Sequence, residues 1–531
     1  MDLDCSFAPN TVRNRRVELL LDRQHRNKPT QARHINHVTG SDTELRPFAQ
    51  APAGSSGTVA EREDASVLIS GGTASPGGDT VLEHPTDASA TGNSLDTSYS
   101  SRSAFCESDV LPWLSIFFDR LYSTLPIVNR LNLYRDIMLR RQDRDPHFAA
   151  MVLSLCALTL VQPVYRQEFQ SMPARVAKAE GMLREATNHR DITFGEQISS
   201  EAVIASFFMF AALFGLGYHK AAWLRLREAI EYGKLIGLHL PETYNSLPSD
   251  EQGQRFRLLL ILTVTERGYA LQRNHSITFT GQYMDRIDDL YRRIDGNATI
   301  KISSILVHDS RDVAAMHGLL QLMRLCDAVD EYVIPCWNRT CAPHIETCTK
   351  LDVARVSSVY HAIAGAMHQT KAAIDHDFTD TSAHATTTNP QLNSAQWADC
   401  FVLQQWLLVR LWVCCLTHDL LDVASTLPFM KPSFVIDLAN QVLAKCQQLD
   451  RSLLEVHGAG MAERLHDIAM GVVMAIEYSR GTALESSTGP GVTTLQGFFE
   501  LLEQLRDGND SIISALRDAY SSIQPIPHEN G

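Results

Sequence analysis

The stretch from Glu201 to Met284 constrains the fold of this chain more than any other part of the sequence. It begins with the apolar run Ala202–Tyr218, which is shorter than the ~20 residues that a membrane-spanning helix needs. Further on, Phe256–Val264 is apolar on nearly every face, which is typical of a helix buried inside a larger helical domain. The stretch therefore predicts buried helices at the centre of a large all-α domain and no membrane span.

The middle helix of this stretch carries an apolar stripe along one face. The residues at helical spacing are Trp223, Leu226, Ile230, Gly233 and Gly237. Because glycine has no side chain, Gly233 and Gly237 allow another backbone to approach closely. Gly237, followed by Pro241, predicts the end of the helix. We expect Trp223 to be buried where this helix meets its neighbours.

Composition divides the 531-residue chain into four segments. Residues 1–40 form a basic tail of net charge +3. Because the whole chain has a net charge of −14, the remaining residues carry −17. Residues 41–104 are rich in Gly, Ser, Thr, Ala and Pro, and such a segment buries too little apolar surface to offset its ordering entropy, so we expect a disordered linker. Residues 105–480 predict the helical domain, and residues 481–531 predict C-terminal helices and a tail. The acidic body is a poor surface for nucleic acid.

The sequence shows no strand-type alternation of apolar and polar residues. Phosphate loops and nucleophile elbows need a strand–turn–helix unit, so these motifs have no place in the chain, and HExxH is absent. Several of the eleven cysteines lie inside apolar helical runs, which favours reduced buried thiols over a disulfide framework. These cysteines are Cys156, Cys414, Cys415 and Cys446. The predicted class is an all-α protein with no catalytic residues.

Five phrases occur in an order that resembles a known family. They are FFDRLYSTLPIVNR at 117–130, AWLRLREAI at 222–230, LIGLHLPETY at 235–244, ERGYALQRNHSITF at 266–279 and QQWL at 404–407. Together they resemble the middle homology region, the regulatory domain of fungal Zn(2)-Cys(6) binuclear-cluster transcription factors, and most nearly the activators of starch and maltose use. The resemblance implies a nuclear transcription regulator of carbon-use or secondary-metabolite genes. It also implies DNA, the transcription machinery or a co-regulator, a small-molecule effector and a second copy of the chain as partners.

The zinc cluster of that family is a six-cysteine motif whose end resembles Leu3-Asp4-Cys5-Ser6. Cys5 alone corresponds to a ligand, as a remnant of the last one, and a single thiolate does not hold zinc. We therefore expect the DNA-binding module to be absent or truncated, DNA binding to be weak, and zinc to require further N-terminal cysteines. A protein-interaction scaffold derived from the family, with no DNA binding, is the alternative function.

Charged residues inside apolar helices are the candidate structural or effector-binding sites. Glu266, Arg267 and Arg273 follow the apolar body of the third helix, and Arg410 lies among apolar residues of a later one. Each arginine is interpreted either as a structural ion pair or as a cation for an anionic effector, since guanidinium matches carboxylate and phosphate geometry. The structural interpretation is favoured for all of them. Trp223 completes the set of candidates.

Two groups of metal-ligating residues remain open as alternatives. Cys336, Cys341, His344 and Cys348 offer four soft ligands, but they lack the paired CxxC spacing of structural zinc sites, which favours ordinary loop and packing roles. The pairs His376-Asp377 and His418-Asp419, with His361 and His368, suggest an all-helical metal phosphohydrolase. This second hypothesis is the remote one, because both pairs lie at polar positions.

Overall fold

The computed structural model describes residues 107–162, 165–191, 196, 198–279, 310–329, 332–341, 348, 350–367, 392–480, 488–505 and 510–523. All regular secondary structure in these ranges is helical, which confirms the all-α prediction. The predicted tail at 1–40 and the predicted linker at 41–104 lie outside the described residues.

Sixteen α-helices occupy the described part of the chain. In chain order they are α1 Glu107–Ile116, α2 Arg130–Met138, α3 Pro146–Val161, α4 Met172–Asp191, α5 Ser200–Gly215, α6 His219–Leu235, α7 Ser249–Arg273, α8 Ser310–Asp327, α9 Ile334–Trp337, α10 Val353–Gly365, α11 Ser394–Thr417, α12 Pro432–Gln448, α13 Ser452–Glu455, α14 Ala459–Arg480, α15 Thr488–Gln504 and α16 Asp510–Ile523. A π-helix at Phe117–Leu121 continues α1 directly. Short 3-10 turns at Arg166–Ser171 and Pro428–Met430 precede α4 and α12.

The buried apolar side chains form two cores. The first core is built from α1 to α8 and is centred on α3 and α5, whose side chains are buried on nearly all faces. The second core is built from the end of α8 to α16 and is centred on α11 and α14. These four helices are apolar and buried over most of their surface, and a helix of that kind is stable only when other helices cover it. The buried thiols predicted at Cys156, Cys414, Cys415 and Cys446 are confirmed.

Among the described helices, α11 is the one whose length and hydropathy would suffice to cross a membrane. Of its apolar window, 89% is buried against the rest of the protein. The core helices of soluble domains have the same composition, so α11 is explained by its position in the second core.

The two glycines of α6 have the roles that their spacing predicts. A Cβ on Gly233 would lie 2.9 Å from Leu238 Cδ1 and 3.3 Å from Leu262 Cδ1, so the missing side chain permits the close packing of α6 on α7. Gly237 follows the end of α6 with φ of 73°, a left-handed conformation that favours glycine.

Helix α7 contributes to both cores. Its middle residues, Leu258–Leu262, lie in the first core, whereas Leu271 lies in the second, and Val264 packs against both. The C-terminal half of α7, Thr263–Arg273, therefore lies where the two cores meet. We call this half-helix and the groups bonded to it the interhelical junction.

Candidate functional site

Glu266 is the most buried charged group of the interhelical junction, with a fully covered side chain. Its carboxylate accepts hydrogen bonds from Arg227 Nη1 of α6 at 3.0 Å, and from the backbone N–H groups of Thr278 and Phe279 at 2.8 and 2.9 Å. A buried carboxylate is tolerated only when its oxygens are hydrogen-bonded in this way. Glu266 therefore fixes both α6 and the segment that follows α7.

Arg267 lies one residue further along α7 and forms an ion pair with Asp327 at the end of α8. Both side chains are nearly covered, with 11% and 9% of their surface exposed. Burial raises the pKa of Asp327 to about 6, and the Arg267 guanidinium opposes this shift. The pair joins the last turn of α8 to the interhelical junction.

Arg273, the last residue of α7, forms an ion pair with Glu463 of α14. Gln272 donates a second hydrogen bond from Nε2 to the other carboxylate oxygen of Glu463, at 2.6 Å. The Arg273 guanidinium also lies 5.9 Å from the centre of the Phe214 ring. A single carboxylate of the second core is thus held by two adjacent side chains of α7.

Arg410 reaches the interhelical junction through Trp337. The guanidinium of this buried arginine lies 5.5 Å from the Trp337 ring centre, and Trp337 Nε1 donates a hydrogen bond to Leu271 O of α7 at 3.1 Å. Burial lowers the pKa of Arg410. Among the described residues Arg410 forms a cation–π contact rather than the salt bridge expected from the sequence, and the nearby Asp467 carboxylate partly opposes the lowering of its pKa.

Trp223 is only partly buried, which differs from the sequence expectation. Its ring stacks on His275 at 3.8 Å and on Tyr269 at 5.7 Å, both at an interplanar angle of 10°. Arg227 lies over the Trp223 ring at 5.5 Å. The first turns of α6 are at the edge of the domain, so the tryptophan covers the end of α7 with one face and keeps its rim in solvent.

Two histidines beside this aromatic stack are held in the neutral form. Burial lowers the pKa of His219 to about 4, with a further contribution from the positive charge of Arg273. Burial also lowers the pKa of His275, and Arg273 and Arg227 act in the same direction. The cations of the interhelical junction therefore disfavour protonation of both rings near neutral pH.

An open cleft of about 530 Å³ lies on another side of α7, between α2, α3, α5 and the start of α7. Two of the arginines that line it form ion pairs. Arg141 bonds to Glu201 at 2.7 Å, and Arg257 bonds to Asp312 at 2.5 and 2.6 Å. Sequence reasoning missed this cleft. The available signal was Arg257 itself, a charge inside the apolar run Phe256–Val264.

The sequence candidates lie in or beside the interhelical junction, and none of them lines the cleft. Glu266, Arg267 and Arg273 belong to the interhelical junction, and both of these arginines face carboxylates of the chain itself. An anionic effector would have to displace those carboxylates, whereas the cleft beside Arg257 is open. The arrangement at the interhelical junction is suited to holding helices in register.

The metal-ligating candidates are partly brought together. Cys336, Cys341 and Cys348 meet at His418, whereas His344 and Cys5 lie outside the described residues. For the phosphohydrolase hypothesis, His368, His376 and Asp377 also lie outside them. Within the described ranges, the only group of metal-ligating side chains that includes His418 is the one with the three cysteines, and it contains neither Asp419 nor His361.

Fold and site define an all-α protein in which buried ion pairs join helices of two cores. No model of a known protein family matches the chain, and no solved structure matches it. The chain is similar to the probable sucrose utilization protein SUC1 of Candida albicans, with 22% identity over 414 residues. The alignment covers 78% of this chain and 72% of that protein, so the similarity extends across most of the helical region rather than one motif.

Proposed function

We propose that this chain is a fungal transcription regulator that controls genes of carbon use. The observation that carries the proposal is the similarity to a probable sucrose utilization protein over 78% of the chain. The order of the phrases at 117–130, 222–230, 235–244, 266–279 and 404–407, which resembles the regulatory domain of zinc-cluster factors, supports it. Residues 105–480 would be that regulatory domain, acting in the nucleus with the transcription machinery or a co-regulator, and without catalysis.

In mechanism, the cleft between α2, α3, α5 and α7 is the candidate effector site. A ligand shifts a conformational equilibrium only if it binds the two states with different affinity. The cleft meets this requirement if its shape depends on the position of α7, because Gln254 and Arg257 of α7 line it. The far end of the same helix is bonded to Glu463 in the second core. Movement of α7 would therefore be transmitted from the first core to the second.

A reporter assay tests the proposal. The chain is fused to an unrelated DNA-binding domain, and transcription of a matching reporter is measured in fungal cells on sucrose, maltose and glucose. We expect activity that depends on the sugar. Asn132→Leu and Gln254→Leu, which change polar side chains lining the cleft, should abolish that dependence without lowering the melting temperature. Gln447→Leu, an exposed position on α12, is the matched control and should behave as the wild type.

Reporter activity that is the same on every carbon source would contradict the proposal. If the response to the sugar persists in both cleft variants, the proposed regulator function stands, and the cleft is rejected as the effector site.

The second candidate function is a protein-interaction scaffold that does not itself bind DNA. The net charge of −17 outside the first 40 residues favours it, because an acidic surface repels the phosphate backbone. A gel-shift measurement with the full chain distinguishes the two functions. Sequence-selective, submicromolar DNA binding at physiological salt would reject the scaffold.

A further inference from the structure

Three cysteines and one histidine from separate parts of the chain meet in the second core. Cys336 belongs to α9, Cys341 follows it, Cys348 precedes α10, and His418 lies at the end of α11. Their four potential ligand atoms all lie within 4.8 Å of one another. Cys336 is buried, and the other three are partly exposed. The group therefore lies at the edge of the core, where an ion can enter from solvent.

Two of the six distances within this group are close to the edges of a zinc tetrahedron, and the others are at most 4.8 Å. Zn–S bonds of about 2.3 Å and Zn–N bonds of about 2.0–2.1 Å place two sulfurs about 3.8 Å apart, and a sulfur and a nitrogen about 3.5 Å apart. Cys336 Sγ lies 3.6 Å from Cys348 Sγ, and Cys341 Sγ lies 3.4 Å from His418 Nε2. The separations are well above the ~2.05 Å of a disulfide bond.

The backbone around the group orients two of the ligands. His418 Nδ1 lies 2.8 Å from Cys414 O, and because a carbonyl only accepts, Nδ1 is the nitrogen that carries the proton. The lone pair is then on Nε2, which faces the sulfurs, as in metal-binding histidines that donate their other N–H to a carbonyl. The N–H of Lys350 points to Cys348 Sγ at 3.4 Å, which stabilises a thiolate there.

One buried cation packs against the neighbour of a ligand. Three thiolates and one Zn²⁺ carry a net charge of −1, which is costly to bury without a cation nearby. Arg410 lies two turns before His418 on α11, and its guanidinium packs on Trp337, the neighbour of Cys336. This arginine is buried, and the Asp467 carboxylate also acts on its charge.

We infer that this chain binds one structural Zn²⁺ through Cys336, Cys341, Cys348 and His418. Thiolate and imidazole ligands in a tetrahedral set favour zinc, and four protein ligands leave no open position for a substrate. The ion ties the segment before α10 to the end of α11. The sequence spacing argued against a metal because paired CxxC knuckles are lacking, and it offered His344 as the fourth ligand, whereas His418 lies 77 residues beyond Cys341. The site is independent of the proposed function.

Metal analysis of the purified full chain tests the inference. We expect one zinc per chain by elemental mass spectrometry, and a fall to background in Cys348→Ala and His418→Ala. Cys446→Ala, a buried cysteine of α12 outside the group, and Cys5→Ala, the candidate remnant of a zinc cluster, should both keep the full zinc content. Circular dichroism checks that each variant is helical.

Cobalt gives a second readout that does not depend on any variant. Co²⁺ added to metal-free wild-type chain should produce the visible absorption of tetrahedral thiolate coordination, and Zn²⁺ should abolish it. Three results would overturn the inference: a metal-free wild-type chain with no cobalt spectrum, a disulfide between Cys336 and Cys348 in freshly purified protein, or zinc that disappears in Cys5→Ala but persists in Cys348→Ala.

Discussion

Arg273 at the end of α7 forms an ion pair with Glu463 of α14, 190 residues further along the chain. Helix α7 contributes to both cores and α14 lies in the second, and Gln272 bonds to the same carboxylate. The contact therefore contributes to holding the two cores together, in addition to stabilising the end of one helix.

Replacement of Arg273 by Leu should lower the free energy of unfolding by about 3–5 kcal/mol, because Glu463 would stay buried without its cation. Urea denaturation of the full chain measures this loss. Arg184→Met is the control, since its ion pair with Glu180 is solvent-exposed and should contribute less than about 1 kcal/mol. If both variants lower the free energy of unfolding equally, the buried Glu463 carboxylate does not need the Arg273 cation for stability.

Arg267→Leu should be similarly destabilising, because it leaves the nearly covered Asp327 carboxyl without the cation that favours its charged form. The double variant Arg267→Leu/Asp327→Leu should recover part of the loss, since the unpaired carboxylate is then removed as well. A double-mutant cycle of unfolding free energies measures the coupling. If Arg267→Leu keeps its stability and loses only the response to the sugar, Arg267 is an effector ligand and the structural role is rejected.

Trp223→Ala should be less destabilising than Trp406→Ala. Trp406 is 1% exposed and donates to Asp467 Oδ2 at 3.1 Å, so its removal should cost about 3–5 kcal/mol, as for other core aromatics. Trp223 is only partly buried, so Trp223→Ala should lower the free energy of unfolding by roughly half as much. Thermal denaturation of both variants tests the order, and the reverse order would mean that the stack on His275 contributes more than burial does.

Two glycines of helix interiors should respond to alanine in opposite directions. A Cβ on Gly471 of α14 would lie 2.4 Å from Val409 Cγ1 of α11, so Gly471→Ala forces the two helices apart and should cost about 1–3 kcal/mol. Gly268 of α7 has open space around the same position, and Gly268→Ala should stabilise by about 0.4–1 kcal/mol through the unfolded state. Chemical denaturation of both variants measures whether the free energy of unfolding falls or rises.

Acidification should destabilise the protein partly through His219. The folded-state pKa of about 4 lies below the ordinary value of about 6.5, so the fold favours the neutral ring. Its stabilising contribution is present above pH ~6.5 and is lost as the pH falls through about 4. The groups facing the ring are Arg273 and Phe214. The free energy of unfolding of His219→Gln should decrease less steeply over this range, and an unchanged slope would exclude His219 as a contributor.

Features that depend on neighbours in sequence were predictable. The helical class follows from apolar periodicity, and the end of α6 follows from Gly237, because a left-handed residue stops a helix whatever surrounds it. The close approach at Gly233 also followed, since its spacing with Leu226 and Ile230 placed it on the packed face. Each of these depends on a few adjacent residues.

Features that depend on packing between distant segments were not predictable. The sequence shows that Arg410 is surrounded by apolar residues, but not that Trp337 would lie under its guanidinium. It shows three cysteines in one loop, but not that His418 would complete them. The partial exposure of Trp223 has the same origin, because periodicity identifies a helix face and does not tell how far the neighbouring helices extend over it.

The burial of α11 has a consequence for the order of synthesis. Its apolar faces are covered largely by α14, which begins at Ala459, some distance after α11 ends at Thr417. At roughly 5–20 residues per second, a ribosome needs several seconds to produce the covering helix. During that time α11 can pack only on earlier helices, such as α10, whose Ile363 O accepts a hydrogen bond from Gln404 Nε2 at 2.8 Å, and the apolar faces that α14 covers stay exposed. Nascent chains of this protein should therefore be captured by chaperones at Ser394–Thr417, and the risk of aggregation should end once α14 has emerged.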